Sequence, residues 1–306
     1  MRRILVTGKN GQVGFELLRS LSGQGEVIAV GRDEMDLSDP DSIRRAVREI
    51  RPDLIVNAAA YTAVDQAEAE PELAFAINGT APGILAEEAK RLGAALIHYS
   101  TDYVFDGTKT SPWTEDDVPR PLSVYGSTKL AGERAIQAVD VPHLILRTSW
   151  VYGARGKNFL LTVLRLAKER DELSIVDDQI GAPTWCREIA RATADILKRL
   201  GYGQAGFASA CAERRGIYNV TAAGQTSWHG FTAAILANAA SLRPIDAALA
   251  LDRVPALKPI PTEQYPLPAA RPRYSVLANA KLRGAFGVAM PDWKASLAEC
   301  MSSAAR

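Results

Sequence analysis

Residues 4–14 read Ile4-Leu5-Val6-Thr7-Gly8-Lys9-Asn10-Gly11-Gln12-Val13-Gly14. An apolar triplet leads into a GxxGxxG turn. Beyond it, Val13, Leu17, Leu18 and Leu21 fall on one helical face. The triplet predicts a buried strand and the spacing after it predicts a helix. Glycines at Gly8 and Gly11 permit a tight turn and let the backbone approach a pyrophosphate. The helix that follows offers unpaired N–H groups and a partial positive charge. Gly14 permits close packing of helix on strand. A glycine triplet by itself marks only a tight turn. Between a strand and a helix it predicts a dinucleotide site over Gly8, Asn10, Gly11, Gln12, Val13 and Gly14.

Working outward, the same rhythm repeats. Val27–Val30 is a second apolar run. Ser38-Asp39-Pro40 is a helix-start signal, followed by Ile43, Ala46, Val47 and Ile50 at helical spacing. Leu54–Val56, Leu96–Tyr99 and Leu144–Leu146 read as further strands. Glu70–Leu92 reads as a long helical region interrupted near Gly79–Pro82, and Ser127–Ala138 as another helix. Continuous apolar strands alternating with helices imply a parallel sheet covered on both faces. The expected fold class is therefore α/β, a Rossmann-like doubly wound sheet with a smaller C-terminal substrate-binding lobe. Residues 1–150 are expected to form the nucleotide-binding domain, with a returning segment near 186–220, and residues 151–306 mainly the lobe. In the latter, Phe159–Glu169, Cys186–Leu200 and Trp228–Ala240 read as helices, and Leu173–Val176 and Ile217–Val220 as strands. Six prolines between Arg253 and Arg273 predict an ordered loop or extended wrap.

Composition limits the function classes. The 306 residues carry 36 Lys and Arg against 35 Asp and Glu, a net charge of +1. That balance gives no case for a nucleic-acid or anionic-membrane surface. The longest uncharged stretch, Gly216–Leu242, is too polar to span a membrane. The N-terminal apolar run is too short for a secretory signal. Three scattered cysteines and three scattered histidines support neither a disulfide scaffold nor a His/Cys metal site. A cytoplasmic globular protein is the expectation.

Several residues carry chemistry. The second strand ends at Val30-Gly31-Arg32, where NAD-preferring sites carry an acid for the ribose 2′-hydroxyl. Arg32 suits a 2′-phosphate instead, which favours NADPH over NADH or permits both; the alternative is a solvated loop arginine. Asp36 and Leu37 end the next short extended segment, within reach of an adenine. Asn57-Ala58-Ala59-Ala60 leaves room at a strand end for a flat ligand, unless it is a plain packing run. Tyr125 and Lys129 form a YxxxK pair on one helical face. A free phenol, with a pKa of about 10, is a poor acid–base group at neutral pH. A nearby ammonium and an oxidised nicotinamide ring are expected to lower it. Ser100-Thr101-Asp102, at the C-terminal end of a strand, places hydroxyls where a substrate carbonyl would meet the tyrosine. Arg271 and Arg273, in the proline-rich segment, either grip a diphosphate or are surface arginines.

These motifs together resemble the extended short-chain dehydrogenases/reductases, and within them the dTDP-4-dehydrorhamnose reductases. The resemblance rests on GKNGQVG (8–14), VNAAAYTAVD (56–65), HYSTDYVF (98–105), YGSTKLAGE (125–133), RTSWVY (147–152), DQIGAPT (178–184) and ARPRYS (270–275), in order along nearly the whole chain. It implies NAD(P)H-dependent reduction of the 4-keto group of dTDP-4-dehydro-6-deoxy-L-mannose to dTDP-L-rhamnose. It implies Tyr125 as proton donor, Lys129 as its partner, and Thr101, where many relatives have serine, as polariser of the carbonyl. It also implies cofactor contacts from Gly11, Gln12, Val13, Ala60, Tyr61, Thr62 and Tyr99, and dTDP-sugar contacts from Asp102 and Trp150. A lone tryptophan is more often core than ligand platform, and Asp102 read by itself is a sugar acceptor or a helix cap. Some relatives dimerise through Mg²⁺ held by carboxylates. Glu16 sits at such a place, but Arg187 stands near where another acid is expected, and the sequence gives no argument for metal. A monomer or homodimer is expected.

Two other readings remain open from sequence. One keeps the class and changes the substrate, to another nucleotide-sugar 4-ketoreductase or epimerase. The other is a non-catalytic NADP-binding subunit resembling the regulatory subunit of methionine adenosyltransferase. Such a subunit has no need for Tyr125, Lys129 and Thr101 together.

Overall fold

The computed structural model describes residues 2–241, 251 and 253–303; the rest of the expected C-terminal lobe lies outside the described residues. The chain begins β1 (Arg3–Thr7), α1 (Gln12–Leu21), β2 (Glu26–Val30), α2 (Pro40–Ile50), β3 (Leu54–Asn57), α3 (Val64–Ala69), α4 (Pro71–Phe75), α5 (Ala81–Leu92), β4 (Ala95–Thr101), α6 (Val124–Ala138) and β5 (His143–Thr148). It continues through β6 (Val151–Tyr152), α7 (Phe159–Glu169), β7 (Glu172–Val176), β8 (Ile180–Gly181), β9 (Thr184–Trp185), α8 (Cys186–Arg199), α9 (Phe207–Glu213) and β10 (Gly216–Asn219). It ends with β11 (Thr226–Ser227), α10 (Trp228–Ser241), β12 (Ala256–Ile260), α11 (Ala280–Phe286) and α12 (Trp293–Ser303).

The main sheet is parallel, in the order β2-β1-β3-β4-β5-β10. Its apolar runs are buried on both faces because alternate residues feed two cores. Ile4, Val6, Val56 and Ile97 pack with Leu17 of α1 and Ile189 of α8. Leu5, Ile55 and Leu96 pack with Ile43 and Val47 of α2 and Leu85 of α5. Each such buried side chain contributes about 1.5–3 kcal/mol. The strand order reverses between β1 and β3. In open α/β sheets ligands bind outside the carboxyl ends of the strands at such a switch point.

Segment 186–219 returns to this sheet, since α8 packs against α1 and β10 pairs with β5. A further core gathers Tyr152, Leu160, Val163 and Leu164 with Phe231, Ile235 and Leu297. The proline-rich segment is extended, as its composition predicts. Its β12 runs parallel to β7. The chain after it is tied down at Ile180 N–H to Arg273 O (2.7 Å), Ser275 N–H to Ile180 O (2.8 Å) and Trp113 N–H to Val276 O (2.8 Å).

Three local expectations change. The helix expected at 127 starts a turn earlier, at Val124, because Ser123 caps it by accepting from the Gly126 N–H at 3.2 Å. The break expected near Gly79–Pro82 is a π-helical turn, Ala76–Thr80, that carries α4 into α5 without interruption. The extended segment expected at Asp36–Leu37 forms no strand, and Leu37 is instead buried in the core beside Ile43.

Candidate active site

A cleft of about 950 Å³ opens over the carboxyl ends of the sheet. At its floor the chain turns out of β1 at Gly8, whose φ of +72° is in the left-handed region. A Cβ there would lie 3.0 Å from Ala59 Cα, so the turn rests directly on the alanine run after β3. A Cβ on Gly14 would fall 2.1 Å from Gly8 O, so α1 closes onto the turn. Gly11 occupies the N-cap of α1 with no side-chain cap. The first-turn N–H groups are therefore left facing the cleft. This cradle fits a dinucleotide: Gly8 and Gly11 line it and the N-terminus of α1 has no side-chain cap.

Most of the expected cofactor residues line this cleft: Gly8, Asn10, Gly11, Gln12 and Val13, then Arg32, Asp36 and Leu37, then Ala58–Thr62 and Tyr99. Gly14 does not line it and packs behind the turn. Arg32 stands on the rim with its side chain 68% exposed, its Nε 3.9 Å from Asp36. The Ser38 hydroxyl and N–H hold the Asp36 carboxylate below its usual range. The Tyr99 phenol faces away and bonds Thr193 Oγ1 of α8 at 2.7 Å.

Thr101, Asp102, Tyr125 and Lys129 meet at the other end of the same cleft. β4 delivers Thr101 and Asp102, and the capped start of α6 delivers Tyr125 and Lys129 one turn apart. Thr101 donates to Asp102 Oδ1 (3.0 Å) and Ser149 to Oδ2 (3.0 Å). Asp102 is 1% exposed, and burial pushes its carboxyl up to about 6 against the pull of Ser275, Ser149 and Thr101. Lys129 is buried and donates to Tyr99 O at 2.6 Å. Burial lowers its ammonium to about 8, with Glu133 opposing. The Tyr125 phenol moves opposite to the sequence expectation. Burial raises it to about 12, a Thr101 hydrogen bond offsets this in part, and the Asp102 charge adds to the rise. Lys129 is engaged with the Tyr99 carbonyl and does not counter that burial.

Trp150 lines the cleft, but its indole already has a stacking partner. Trp228 lies parallel to it, centroids 3.4 Å apart and planes 3° from parallel. Trp150 has φ +45°, and a Cβ on Gly181 would be 2.3 Å from its ring. Arg271 is not among the lining residues. Its guanidinium forks onto Asp65 at 2.9 and 2.7 Å. Arg273 pairs with Glu263 at 2.8 Å in an exposed position. Arg187 donates to Glu16 Oε2 at 3.0 Å. Among the described residues no group of three or more His, Cys, Asp or Glu side chains is placed to hold a metal. No described helix is long and apolar enough to cross a membrane.

Sequence reasoning passed over four residues. Ser149 and Ser275 fasten Asp102. Trp228 stacks on Trp150. Buried Asn78, on the π turn, accepts from Tyr61 N–H (2.9 Å) and donates to Tyr61 O (3.0 Å) and Thr128 Oγ1 (3.2 Å). Gly181 in DQIGAPT was the available signal for a ring packed on that loop; nothing local marks Asn78.

A family model described as the RmlD substrate binding domain matches residues 1–306. The chain is 51% identical over 299 residues to a dTDP-4-dehydrorhamnose reductase of Burkholderia thailandensis, covering 98% of each protein. The crystal structure of a dTDP-4-dehydrorhamnose reductase from Clostridium acetobutylicum superposes with a TM-score of 0.87 at 36% identity, over 98% of this chain and 99% of that one. The Bacillus anthracis dTDP-4-dehydrorhamnose reductase, solved in complex with NADP, superposes with a TM-score of 0.86 at 33% identity, again over 98% and 99%. With this glycine cradle, this sheet order and these matches end to end, the chain belongs to the dTDP-4-dehydrorhamnose reductase family of extended short-chain dehydrogenases/reductases, a family of oxidoreductases.

Proposed function

We propose that this protein reduces the 4-keto group of dTDP-4-dehydro-6-deoxy-L-mannose to give dTDP-L-rhamnose, with NADPH favoured over NADH, in the cytoplasm. The observation that carries the reading is the convergence of Thr101, Tyr125 and Lys129 on one cleft that begins at the glycine cradle. The bound dinucleotide supplies the hydride. Tyr125, raised to about 12, stays protonated at neutral pH and so holds the proton that the emerging alkoxide needs. Thr101 polarises the carbonyl once its hydroxyl turns from Asp102 to the substrate oxygen. Asp102, mostly ionised at neutral pH, then accepts from a sugar hydroxyl.

The cofactor preference rests on Arg32, exposed at the rim where a 2′-phosphate would approach. The test is NADPH and NADH oxidation with enzymatically prepared dTDP-4-dehydro-L-rhamnose. Substrate-dependent oxidation with accumulation of dTDP-L-rhamnose is the expected outcome; absence of consumption with either cofactor overturns it. In the same assay Arg32→Ala is expected to raise the KM for NADPH by about tenfold and leave that for NADH nearly unchanged, the loss expected of one charge-assisted contact. Equal losses would make Arg32 a bystander.

A further inference from the structure

Three side chains lie in cross-strand register on one face of the sheet. Thr7 of β1 is opposite Asn57 of β3, and Asn57 is opposite His98 of β4. All three are buried. Thr7 Oγ1 donates to Asn57 Oδ1 at 2.6 Å and accepts from Ala59 N–H at 3.0 Å. Asn57 Nδ2 is 2.9 Å from His98 Nδ1, and His98 Nε2 is 3.3 Å from Lys129 Nζ. A continuous polar chain therefore runs from beneath the glycine turn to Lys129.

Proton accounting makes this chain directional. An amide oxygen only accepts, so the Thr7 proton goes to Asn57 Oδ1 and turns the Asn57 NH₂ toward His98. His98 Nδ1 then accepts. His98 is neutral, because burial above all holds its pKa well below the ordinary histidine value, and Lys129 lowers it further whenever it is charged. Its single ring proton therefore sits on Nε2 and points at Lys129 Nζ. An amine accepts that proton; an ammonium has no lone pair to do so. Lys129 in its charged form requires the other tautomer, with the proton on Nδ1 and the Asn57 amide reversed. Reversal strips the Thr7 hydroxyl of its acceptor.

We propose that His98 is a positioning residue whose tautomer is coupled to the charge of Lys129, and that Thr7, acting through Asn57, biases the pair toward the amine. The other groups around Lys129 do not replace this control. The Tyr99 carbonyl from β4 accepts in either state. Glu133, one turn along α6, is held bidentate by Arg147 of β5 at 2.8 and 2.6 Å. Tyr125 of α6 is a neutral phenol, and Asp102, after β4, is occupied by Thr101 and Ser149. The direction agrees with the lowering of Lys129 to about 8.

The inference takes its catalytic meaning from the assignment of Lys129 as partner of Tyr125, but its test reads the network without turnover. The full chain, with its three histidines labelled with ¹⁵N, is titrated from roughly pH 6 to pH 10 by long-range ¹H–¹⁵N NMR. His98→Gln identifies the His98 signals. The expected result is a neutral His98 throughout, its proton moving from Nδ1 to Nε2 with a midpoint near about 8. Thr7→Val, which is nearly isosteric, is expected to move that midpoint upward by about half a unit or more. One tautomer across the whole range, conversion to imidazolium near the ordinary histidine pKa, or a midpoint unmoved in Thr7→Val overturns the coupling. The wild-type titration stands alone if Thr7→Val does not fold. An inactive protein that still shows the coupled titration would count against the proposed reaction and not against the coupling.

Discussion

Tyr125 and Asp102 differ in what burial does for them. For Tyr125, burial keeps the donor protonated; for Asp102 it makes the required charge costly. Tyr125→Phe removes the proton source and little else, because the phenol's partners are Thr101 and Asp102 at the far end of the cleft from the glycine cradle. Turnover is expected to fall by about a hundredfold or more, with NADPH affinity within about twofold of wild type. Steady-state kinetics and fluorescence titration check this, and retained turnover would remove Tyr125 from its role. For Asp102 the sign follows from its pKa of about 6 against an ordinary 3.8. Between those values the folded protein keeps a proton that the unfolded chain releases. Stability contributed by Asp102 is therefore present below 3.8 and lost as pH rises through about 6. Asp102→Asn has no charge to bury. It is expected to flatten that fall and to gain stability on the order of 2 kcal/mol at pH 7 relative to its difference at pH 4, while losing activity. Urea unfolding across that range measures it, and parallel curves for the two proteins would refute the shift.

At the scale of elements, the sequence was legible where one side chain per position decides the outcome. The apolar triplets, the glycine turn and the Asp39-Pro40 helix start gave the strands, cradle and α2 because each is a local signal. The start of α6 was misplaced because Gly126 lowers apparent helix propensity while Ser123 caps the helix before it. The π turn was legible only as an interruption near Gly79–Pro82, because glycine and proline mark a break without saying that the helix continues through it. Asn57 was readable at a strand end and His98 within a strand, but their contact depends on strand register, which the sequence does not spell out. The π turn also explains how Tyr61 is held at the cleft: it aims Asn78 at both backbone groups of Tyr61. Asn78→Ala would leave those groups unpaired. The expected cost is about 2–3 kcal/mol of stability, with a raised Kd for NADPH because the 60–62 segment loses its clamp. Urea unfolding and cofactor titration test the two parts; an unchanged Kd would show that Tyr61 is positioned by other contacts, such as its hydroxyl bond to Glu70 at 2.6 Å.

For the whole molecule, the near-neutral charge conceals an ordered use of arginine. Arg271, which the sequence leaves open between a diphosphate grip and a surface arginine, links the N-terminal half of the chain to the C-terminal strap. Arg271, from the proline-rich strap, forks onto Asp65 of α3, and Asp65 also accepts from Ala269 N–H at 3.2 Å. The pair is partly buried, with side chains 16% and 37% exposed. Asp65 stays well ionised because Arg271 holds its carboxyl below the ordinary value. Such a pair ties the strap across the molecule, and the strap continues through Arg273 and Ser275 to the Asp102 pocket. If the strap acts as one unit, cleft geometry at Asp102 is expected to follow an ion pair outside the cleft. A double-mutant cycle separates this role from direct ligand binding. Arg271→Ala and Asp65→Asn are each expected to lower stability by about 1–2 kcal/mol, and the double variant to lose no more than the larger single loss. Both single variants should raise the substrate KM to a similar degree while kcat changes little, since each loosens the same strap. If Arg271→Ala raises KM and Asp65→Asn does not, the guanidinium reaches the diphosphate in the substrate complex, and the ion pair seen here is only its resting partner.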